Sequence, residues 1–239
     1  MEGVDRISNL KETFRSLKWY ELVMMAVMMA VAAEQLAESL ASPEAHNPAW
    51  LAAVNFASAL CGVVCIFFTA KASVSACVFG IANTAAYSAY LAYWHVYGTL
   101  CLEVLVYLPV SVGQWILWAR HRDRVERRLT QVRRLDADGL LLVVFAVGCG
   151  TMIYWLILDA AGGNAAVWDS MTVSIGVVAV VLSMLRYREQ YILWLVTDVV
   201  AVAMFVELQD PVYLVKKSIY LIMALVGLRN WWRLSARGQ

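Results

Sequence analysis

Long apolar runs separated by short polar or charged segments divide the chain into predicted helices. A helix rises 1.5 Å per residue, so about twenty apolar residues are needed to cross the hydrocarbon layer of a bilayer. Eight stretches approach that length, and together they predict an all-α membrane protein with eight transmembrane helices. The predicted spans are Trp19–Glu38, Trp50–Thr69, Ser73–His95, Thr99–Trp118, Gly139–Leu158, Ser170–Leu185, Tyr191–Val206 and Tyr213–Trp232.

Apart from Lys216 and Lys217, which lie inside the eighth span, the Lys and Arg residues fall on one side of the predicted membrane. With the N-terminus inside, they lie in the first eighteen residues, at Lys71, between Arg120 and Arg134, at Arg186 and Arg188, and from Arg229 onward. The loops on the other side have no Lys or Arg. Because cytoplasmic loops of membrane proteins are enriched in these residues, both termini are predicted to be cytoplasmic. The loop RHRDRVERRLTQVRR has two interpretations, a topogenic loop or a site for anionic lipids or a partner, and the first is favoured.

Composition agrees with a membrane protein and excludes several other classes. The chain is 62% hydrophobic and 15% charged, with a net charge of +1, which gives no reason to expect a nucleic-acid partner. The five cysteines lie in apolar spans without further ligands spaced for a metal, so no metal or cofactor is predicted. The first span is expected to be retained, because it is too long for a signal peptide. The three histidines lie at loops or span ends, and no phosphate-binding GxxxxGK[ST] loop occurs, so neither an enzyme nor an ATP-driven pump is expected.

A faint internal repeat groups the spans. Glu103, Tyr107 and Trp118 are matched 113 residues later by Lys216, Tyr220 and Trp231. We therefore predict an N-terminal segment with an extra helix (1–49), a three-helix repeat (50–118), a basic loop with a linker helix (119–168), and a second three-helix repeat with the C-terminal tail (169–239). One helix between two three-helix units gives both the same direction through the membrane, so this is a 3+1+3 parallel repeat, a known transporter architecture.

Polar and aromatic residues inside the last two spans are the first candidates for a solute site. Tyr191, Trp194 and Asp198 share one helical face, and a carboxylate in an apolar span normally faces a packed bundle or a wet cavity. The next span offers Lys216, Lys217 and Tyr220, of which Lys216 and Tyr220 are taken into the predicted site. The predicted site in this part of the chain consists of Gln190, Tyr191, Trp194, Asp198, Lys216, Tyr220 and Asn230.

The third and fourth spans supply the remaining candidates. These are Asn83 and Tyr87 on the third span, and Glu103, Tyr107 and Gln114 on the fourth. Two structural alternatives remain open: a neighbouring helix could bind the Asn83 amide, and Glu103 could pair with Lys216 instead of contacting a solute. Pro109 is expected to remove a backbone hydrogen bond and kink the fourth span.

Three segments of the chain resemble the Pnu family of bacterial vitamin transporters, best known for uptake of nicotinamide riboside. They are YGTLCLEVLVYLPVSVGQWILW, DSMTVSIGVVAVVLSMLRYREQYILWLVTDVV and KKSIYLIMALVGLRNWW, and the resemblance extends over about residues 50–233. It implies a fold related to the SWEET sugar transporters, a homotrimer in the bacterial inner membrane, and facilitated diffusion. It also implies a cytoplasmic kinase that phosphorylates the substrate and so traps it inside.

The resemblance also implies a substrate class. The family's Trp-x-x-Trp element falls on Tyr191 and Trp194, while Glu103 and Gln114 stand where the family usually has Asn and Gly. A cationic aromatic ring such as that of nicotinamide riboside suits stacking on Trp194 and Tyr191 and attraction to Glu103. Its sugar and amide suit hydrogen bonds from Asn83, Gln190 and Asp198. Nicotinamide riboside is the favoured substrate. Thiamine, riboflavin and deoxynucleosides, which relatives carry, are the alternatives, together with a receptor or scaffold that transports nothing.

Overall fold

The computed structural model describes residues 10–41, 48–123, 126–160, 167–207 and 211–237, and these residues form helices and connecting turns without a strand. Each predicted span coincides with one helix, and their ends differ by at most five residues. A short helix at 10–15 comes first. The long helices are α1 (Trp19–Ala41), α2 (Ala49–Ala70), α3 (Ala76–Tyr93), α4 (Tyr97–Arg120), α5 (Ala137–Ala160), α6 (Val167–Met184), α7 (Gln190–Glu207) and α8 (Pro211–Arg237).

Four of these helices, α1, α2, α4 and α5, are long and apolar enough within their described residues to cross a membrane. Helices α6 and α7 contain shorter apolar stretches, Ser170–Met184 and Gln190–Ala203. The surface of α5 is strongly apolar, since Leu141, Val144 and Phe145 are each more than two-thirds exposed. A water-soluble protein rarely exposes such a contiguous apolar face, so this surface suits lipid.

The chain divides into two compact units, Met1–Gln131 and Val132–Gln239. In the first unit α1 packs on α2, α2 on α3, and α3 on α4. In the second unit α5 packs on α6, α6 on α7, and α7 on α8. The boundary lies inside the segment 119–168 that the sequence predicts as loop and linker, and the predicted linker helix, α5, packs on α6.

The turns that join α2 to α3 and α6 to α7 have the same backbone structure. Ala72 and Arg186, which are 114 residues apart, have positive φ angles of 56° and 68°. The hydrogen bonds correspond at the same offset: Ala72 N–H to Thr69 and Ser73 N–H to Phe68, then Arg186 N–H to Ser183 and Tyr187 N–H to Leu182. This is the Schellman pattern of helix ends, in which glycine is the usual left-handed residue. The two units thus repeat a local structure that neither turn's sequence predicts, because neither left-handed residue is a glycine.

In the first unit, the beginning of α1 and the segment before it contact the turn between α2 and α3. The Glu21 carboxylate is fully buried, lies 2.7 Å from the Lys71 ammonium, and accepts a 2.7 Å hydrogen bond from the Lys18 N–H. The Thr13 and Ser73 hydroxyls lie 3.0 Å apart. A charge pair this well buried orients its partners strongly, because breaking it would leave an uncompensated charge.

In the second unit, the C-terminal end of α8 is fastened to the equivalent turn. The Arg188 guanidinium donates to Glu189 at 3.1 Å and to the Ser235 hydroxyl at 2.8 Å. It also lies 3.9 Å from the centre of the Trp232 ring, a cation–π contact. Both turns are therefore anchored to a terminal helix of their own unit, by different side chains.

Candidate solute site

The acid of α7 is partnered by a lysine of α8. The Lys217 ammonium lies 3.9 Å from Asp198 Oδ1, and Asp198 is 6% exposed. The same ammonium lies 5.5 Å from the centre of the Tyr220 ring. Lys217 is outside the predicted set, which contains its neighbour Lys216. Lys216 is half-buried on the same helix.

Tyr191 is held by packing within the second unit. Its ring is 5% exposed and meets the Trp231 ring edge-on, with 5.6 Å between centroids. A Cβ atom added to Gly227 would overlap this ring, so only glycine allows α7 and α8 to approach here. The Tyr191 ring, which the sequence predicts to stack on a solute, is thus in contact with α8.

Gln190, Trp194 and Asp198 follow one another at intervals of four residues and so lie along one face of α7. Trp194 is half-buried, whereas Gln190 is 1% exposed. The Gln190 Nε2 group has no hydrogen-bond partner among the described residues. A buried amide donor without a partner costs about 1–3 kcal/mol, so this group is suited to bind an oxygen that arrives with a ligand.

In the first unit, Asn83 of α3 is bound by the neighbouring helix through one side of its amide. Asn83 Oδ1 accepts a 2.9 Å hydrogen bond from the Ser58 hydroxyl of α2. Gly62, one turn further along α2, allows this contact, because a Cβ there would lie 3.1 Å from Asn83 Oδ1. The prediction that a neighbouring helix could bind the Asn83 amide therefore holds for its side-chain carbonyl. The Nδ2 donors remain for another partner. Small residues four apart, here Ser58 and Gly62, are the sequence signal that could have identified this contact.

Helix α4 changes its winding at Glu103. Residues Glu103–Tyr107 form a π-helical segment between the α-helical parts Tyr97–Leu102 and Leu108–Arg120. The Leu108 N–H donates to the Glu103 carbonyl, five residues back. Pro109, which has no N–H to continue the α-helical ladder, follows directly. The disturbance expected at Pro109 thus takes the form of a π segment on its N-terminal side, a feature often found at functional sites.

The Glu103 side chain is half-buried, and within the described residues it makes no ion pair or hydrogen bond. Tyr107 lies one turn further along the same helix and is also half-buried. A carboxylate inside an apolar span is costly unless a cation or water reaches it. Glu103 is therefore the described acid most in need of a positively charged partner.

The other predicted residues take packing roles or lie at half-buried positions. The Tyr87 and Tyr90 rings are stacked with centroids 6.3 Å apart, and the Gln114 side chain lies near the Cys77 thiol of α3. Tyr220 and Asn230 are half-buried on α8. Asn83, Tyr87, Glu103, Tyr107 and Gln114 thus belong to the first unit, and the remaining predicted residues to the second.

Comparisons with known proteins agree on one family. A family model described as nicotinamide mononucleotide transporter matches residues 52–233. The chain is 32% identical over 203 residues to a nicotinamide riboside transporter PnuC of Neisseria mucosa, covering 80% of this chain and 75% of the relative. It is 27% identical over 234 residues to the transporter of the same name from Haemophilus influenzae, covering 96% and 97% of the two chains.

A solved structure is also similar over nearly the whole chain. It is described as the crystal structure of the vitamin B3 transporter PnuC, and it matches with a TM-score of 0.70 and 27% identity. The match covers 94% of this chain and 95% of that chain. The similarity therefore includes α1 as well as the region matched by the family model.

Proposed function

Because this chain belongs to the nicotinamide mononucleotide transporter family, we propose that it carries nicotinamide riboside across the bacterial inner membrane. Its relatives from Neisseria mucosa and Haemophilus influenzae are named nicotinamide riboside transporters. The observation in the structure that most favours this substrate is the Glu103 carboxylate, half-buried in α4 and without an ion-pair partner among the described residues. The pyridinium of the riboside is a cation that can neutralise it, whereas the phosphate of the mononucleotide would add negative charge nearby.

The side chains divide the recognition of the riboside between charge, stacking and hydrogen bonding. Trp194 stacks on the pyridinium and Glu103 attracts its charge. The donors of Gln190 and Asn83 bind ribose or carboxamide oxygens, since neither amide nitrogen has a hydrogen-bond partner among the described residues of its unit. Asp198, which is paired with Lys217, accepts hydrogen bonds from ribose hydroxyls. The remaining predicted residues are half-buried, and we propose them as secondary contacts of the solute within their own units: Tyr87, Tyr107, Gln114, Lys216, Tyr220 and Asn230. Tyr191 contributes through packing on Gly227.

The architecture that we propose has eight spans, with an extra first helix and a 3+1+3 parallel-repeat core like that of the SWEET transporters. The corresponding turns at Ala72 and Arg186 support the repeat, because their hydrogen bonds match at one offset of 114 residues. The distribution of Lys and Arg supports cytoplasmic N- and C-termini.

Transport is proposed to be facilitated diffusion by a homotrimer, and the chain itself catalyses no reaction. A cytoplasmic kinase would make uptake unidirectional, because a phosphorylated product carries negative charge and no longer fits a site built around Glu103. No ATP-binding loop of the GxxxxGK[ST] type occurs in the sequence, which argues against direct ATP-driven pumping by this chain alone.

Uptake by proteoliposomes tests this function. Purified protein is reconstituted without any ion gradient or ATP, and the entry of labelled nicotinamide riboside is followed beside that of labelled thiamine and nicotinamide mononucleotide. We expect the riboside to equilibrate with the lumen and the mononucleotide to be excluded. Preference for thiamine would transfer the proposal to the alternative cationic vitamin.

Two further outcomes would contradict the proposal. Accumulation of the riboside above its outside concentration, driven by a proton or sodium gradient, would exclude facilitated diffusion. Binding measured by calorimetry without any uptake would indicate a receptor or scaffold. Liposomes that contain the heat-denatured protein supply the baseline for leakage.

A further inference from the structure

In the basic loop after α4, the described residues 121–123 and 129–131 are joined by backbone hydrogen bonds. Arg122 and Thr130 form an isolated antiparallel bridge. The Gln131 N–H donates to the His121 carbonyl at 2.9 Å, and the Asp123 N–H donates to Leu129 at 2.8 Å. The side chains of Thr130 and Gln131 add bonds to the carbonyls of His121 and Arg122. A loop whose only purpose is to carry positive charge has no need of this ordered backbone.

Three arginines, one at the end of α4 and two in this loop, line one open cavity. The cavity has a volume of about 380 Å³ and is lined by Arg120, Arg122, Asp123 and Arg127, a set we call the arginine cradle. Among the described residues, the guanidinium groups of Arg120, Arg122 and Arg127 form no ion pair, and Asp123 Oδ1 accepts from the Glu126 N–H. The cradle therefore has an excess of positive charge.

The neighbouring Arg128 shows what a structural arginine of this loop looks like. Its guanidinium donates to the Glu126 carboxylate at 2.8 Å and to the Glu12 carbonyl at 2.8 Å. Both terminal nitrogens of this guanidinium group therefore have acceptors within the first unit. Within the described parts of the chain, the arginines of the cradle have no such acceptors, although they lie only a few residues from Arg128.

Guanidinium groups placed together repel one another unless an anion lies between them. Arginine is the residue best suited to bind phosphate, because its planar group donates two parallel hydrogen bonds. We propose that the arginine cradle binds a phosphate group. The phosphate belongs either to the headgroup of an anionic phospholipid in the adjacent leaflet or to a soluble phosphate compound. Its place directly after α4, the helix that carries Glu103, lets the bound anion fix the end of that helix.

The test uses the full-length protein and two arms. In the first arm, inorganic pyrophosphate is titrated into detergent-purified protein at low salt, and binding is measured by calorimetry. In the second arm, the thermal midpoint of unfolding is compared in nanodiscs of phosphatidylcholine with and without phosphatidylglycerol. Arg122→Gln and Arg127→Gln each remove one guanidinium group from the cradle. Arg134→Gln removes the same charge from an exposed position outside it and is the matched control.

We expect each cradle variant to weaken binding roughly tenfold, the effect of losing one charge-assisted hydrogen-bonding group, and Arg134→Gln to leave it nearly unchanged. Binding of pyrophosphate identifies a soluble ligand, and a rise in midpoint with phosphatidylglycerol alone identifies a lipid. Arg127 is exposed, so its variant should elute as a folded protein on size exclusion. The proposal is overturned if neither anion binds, or if the control weakens binding as much as the cradle variants do.

Discussion

The Lys217 ammonium lies 3.9 Å from the Asp198 carboxylate, and this pair joins α7 to α8. Asp198 is nearly buried, whereas the Lys217 side chain is 31% exposed, so the pair is intermediate between a buried and a surface ion pair. Removing one partner leaves the other without compensation, and this costs more than removing both. The pair therefore offers a direct measure of how the two helices are held together.

We expect Asp198→Asn and Lys217→Met each to lower the thermal midpoint of the purified protein. The double variant should lose less than the sum of the two single losses, with a coupling energy of about 1 kcal/mol. Fluorescence-detected unfolding in detergent measures all four proteins. Strict additivity would show that the two charges do not interact, and Glu34→Gln on the exposed face of α1 controls for the loss of one carboxylate.

Glu103 should discriminate between charged and uncharged forms of the same ligand. Reduced nicotinamide riboside is nearly the size of the oxidised form but lacks the positive charge. We expect Glu103→Gln to weaken binding of the oxidised form about tenfold and to change binding of the reduced form little, because only the cation gains from the carboxylate.

Calorimetric titration of both ligands into both proteins gives this comparison. Glu103→Asp, which keeps the charge, should retain most of the preference for the cation. An equal loss for both ligands would mean that Glu103 supports the structure of α4 and does not recognise charge.

Trp194 should contribute more to affinity than any other single side chain of α7. A desolvated cation–π contact is worth about 2 kcal/mol, so Trp194→Ala should weaken binding of nicotinamide riboside roughly thirtyfold. Trp194→Phe should retain much of the affinity. Trp50→Ala removes an indole that is 58% exposed and serves as the control. If Trp194→Ala binds as tightly as the parent, Trp194 is an interfacial anchor of the membrane only.

Gly227→Ala should destabilise the protein through a clash with Tyr191. The added Cβ overlaps the buried ring. Overpacking by one inserted carbon typically lowers the free energy of unfolding by roughly 1–3 kcal/mol. Gly148→Ala in α5 meets no atom within 4 Å and is the matched control, with little change or a small gain from helix propensity. Thermal unfolding compares the two variants. Equal midpoints would show that α7 and α8 can separate at this contact without loss.

The proposed orientation predicts which residues reagents can reach from outside. In a background without the native cysteines, Asp159→Cys at the end of α5 should react with a membrane-impermeant maleimide in intact cells. Arg134→Cys, before the start of α5, should react only after permeabilisation. The reverse pattern would invert the topology inferred from the basic residues.

The sequence by itself determined where the helices lie. Burying backbone polar groups in hydrocarbon requires helices of a set length, so apolar runs of that length marked the helices α1 to α8 to within five residues at each described end. It also identified the residues that are costly in such helices, such as Glu103 and Asp198, since polarity in an apolar run is visible without coordinates. Sequence comparison with relatives then gave the family.

Only the tertiary structure decided which of these residues meet one another. Lys217 rather than Lys216 lies beside Asp198, because the direction of a side chain depends on how α8 is rotated against α7. Tyr191 packs on Gly227 for the same reason. The left-handed residues Ala72 and Arg186 carry no glycine signal, since their conformation is imposed by the hydrogen bonds of the turns. Contacts between helices depend on how each helix is rotated about its axis and on how closely two helices approach. The periodicity of the sequence specifies neither quantity.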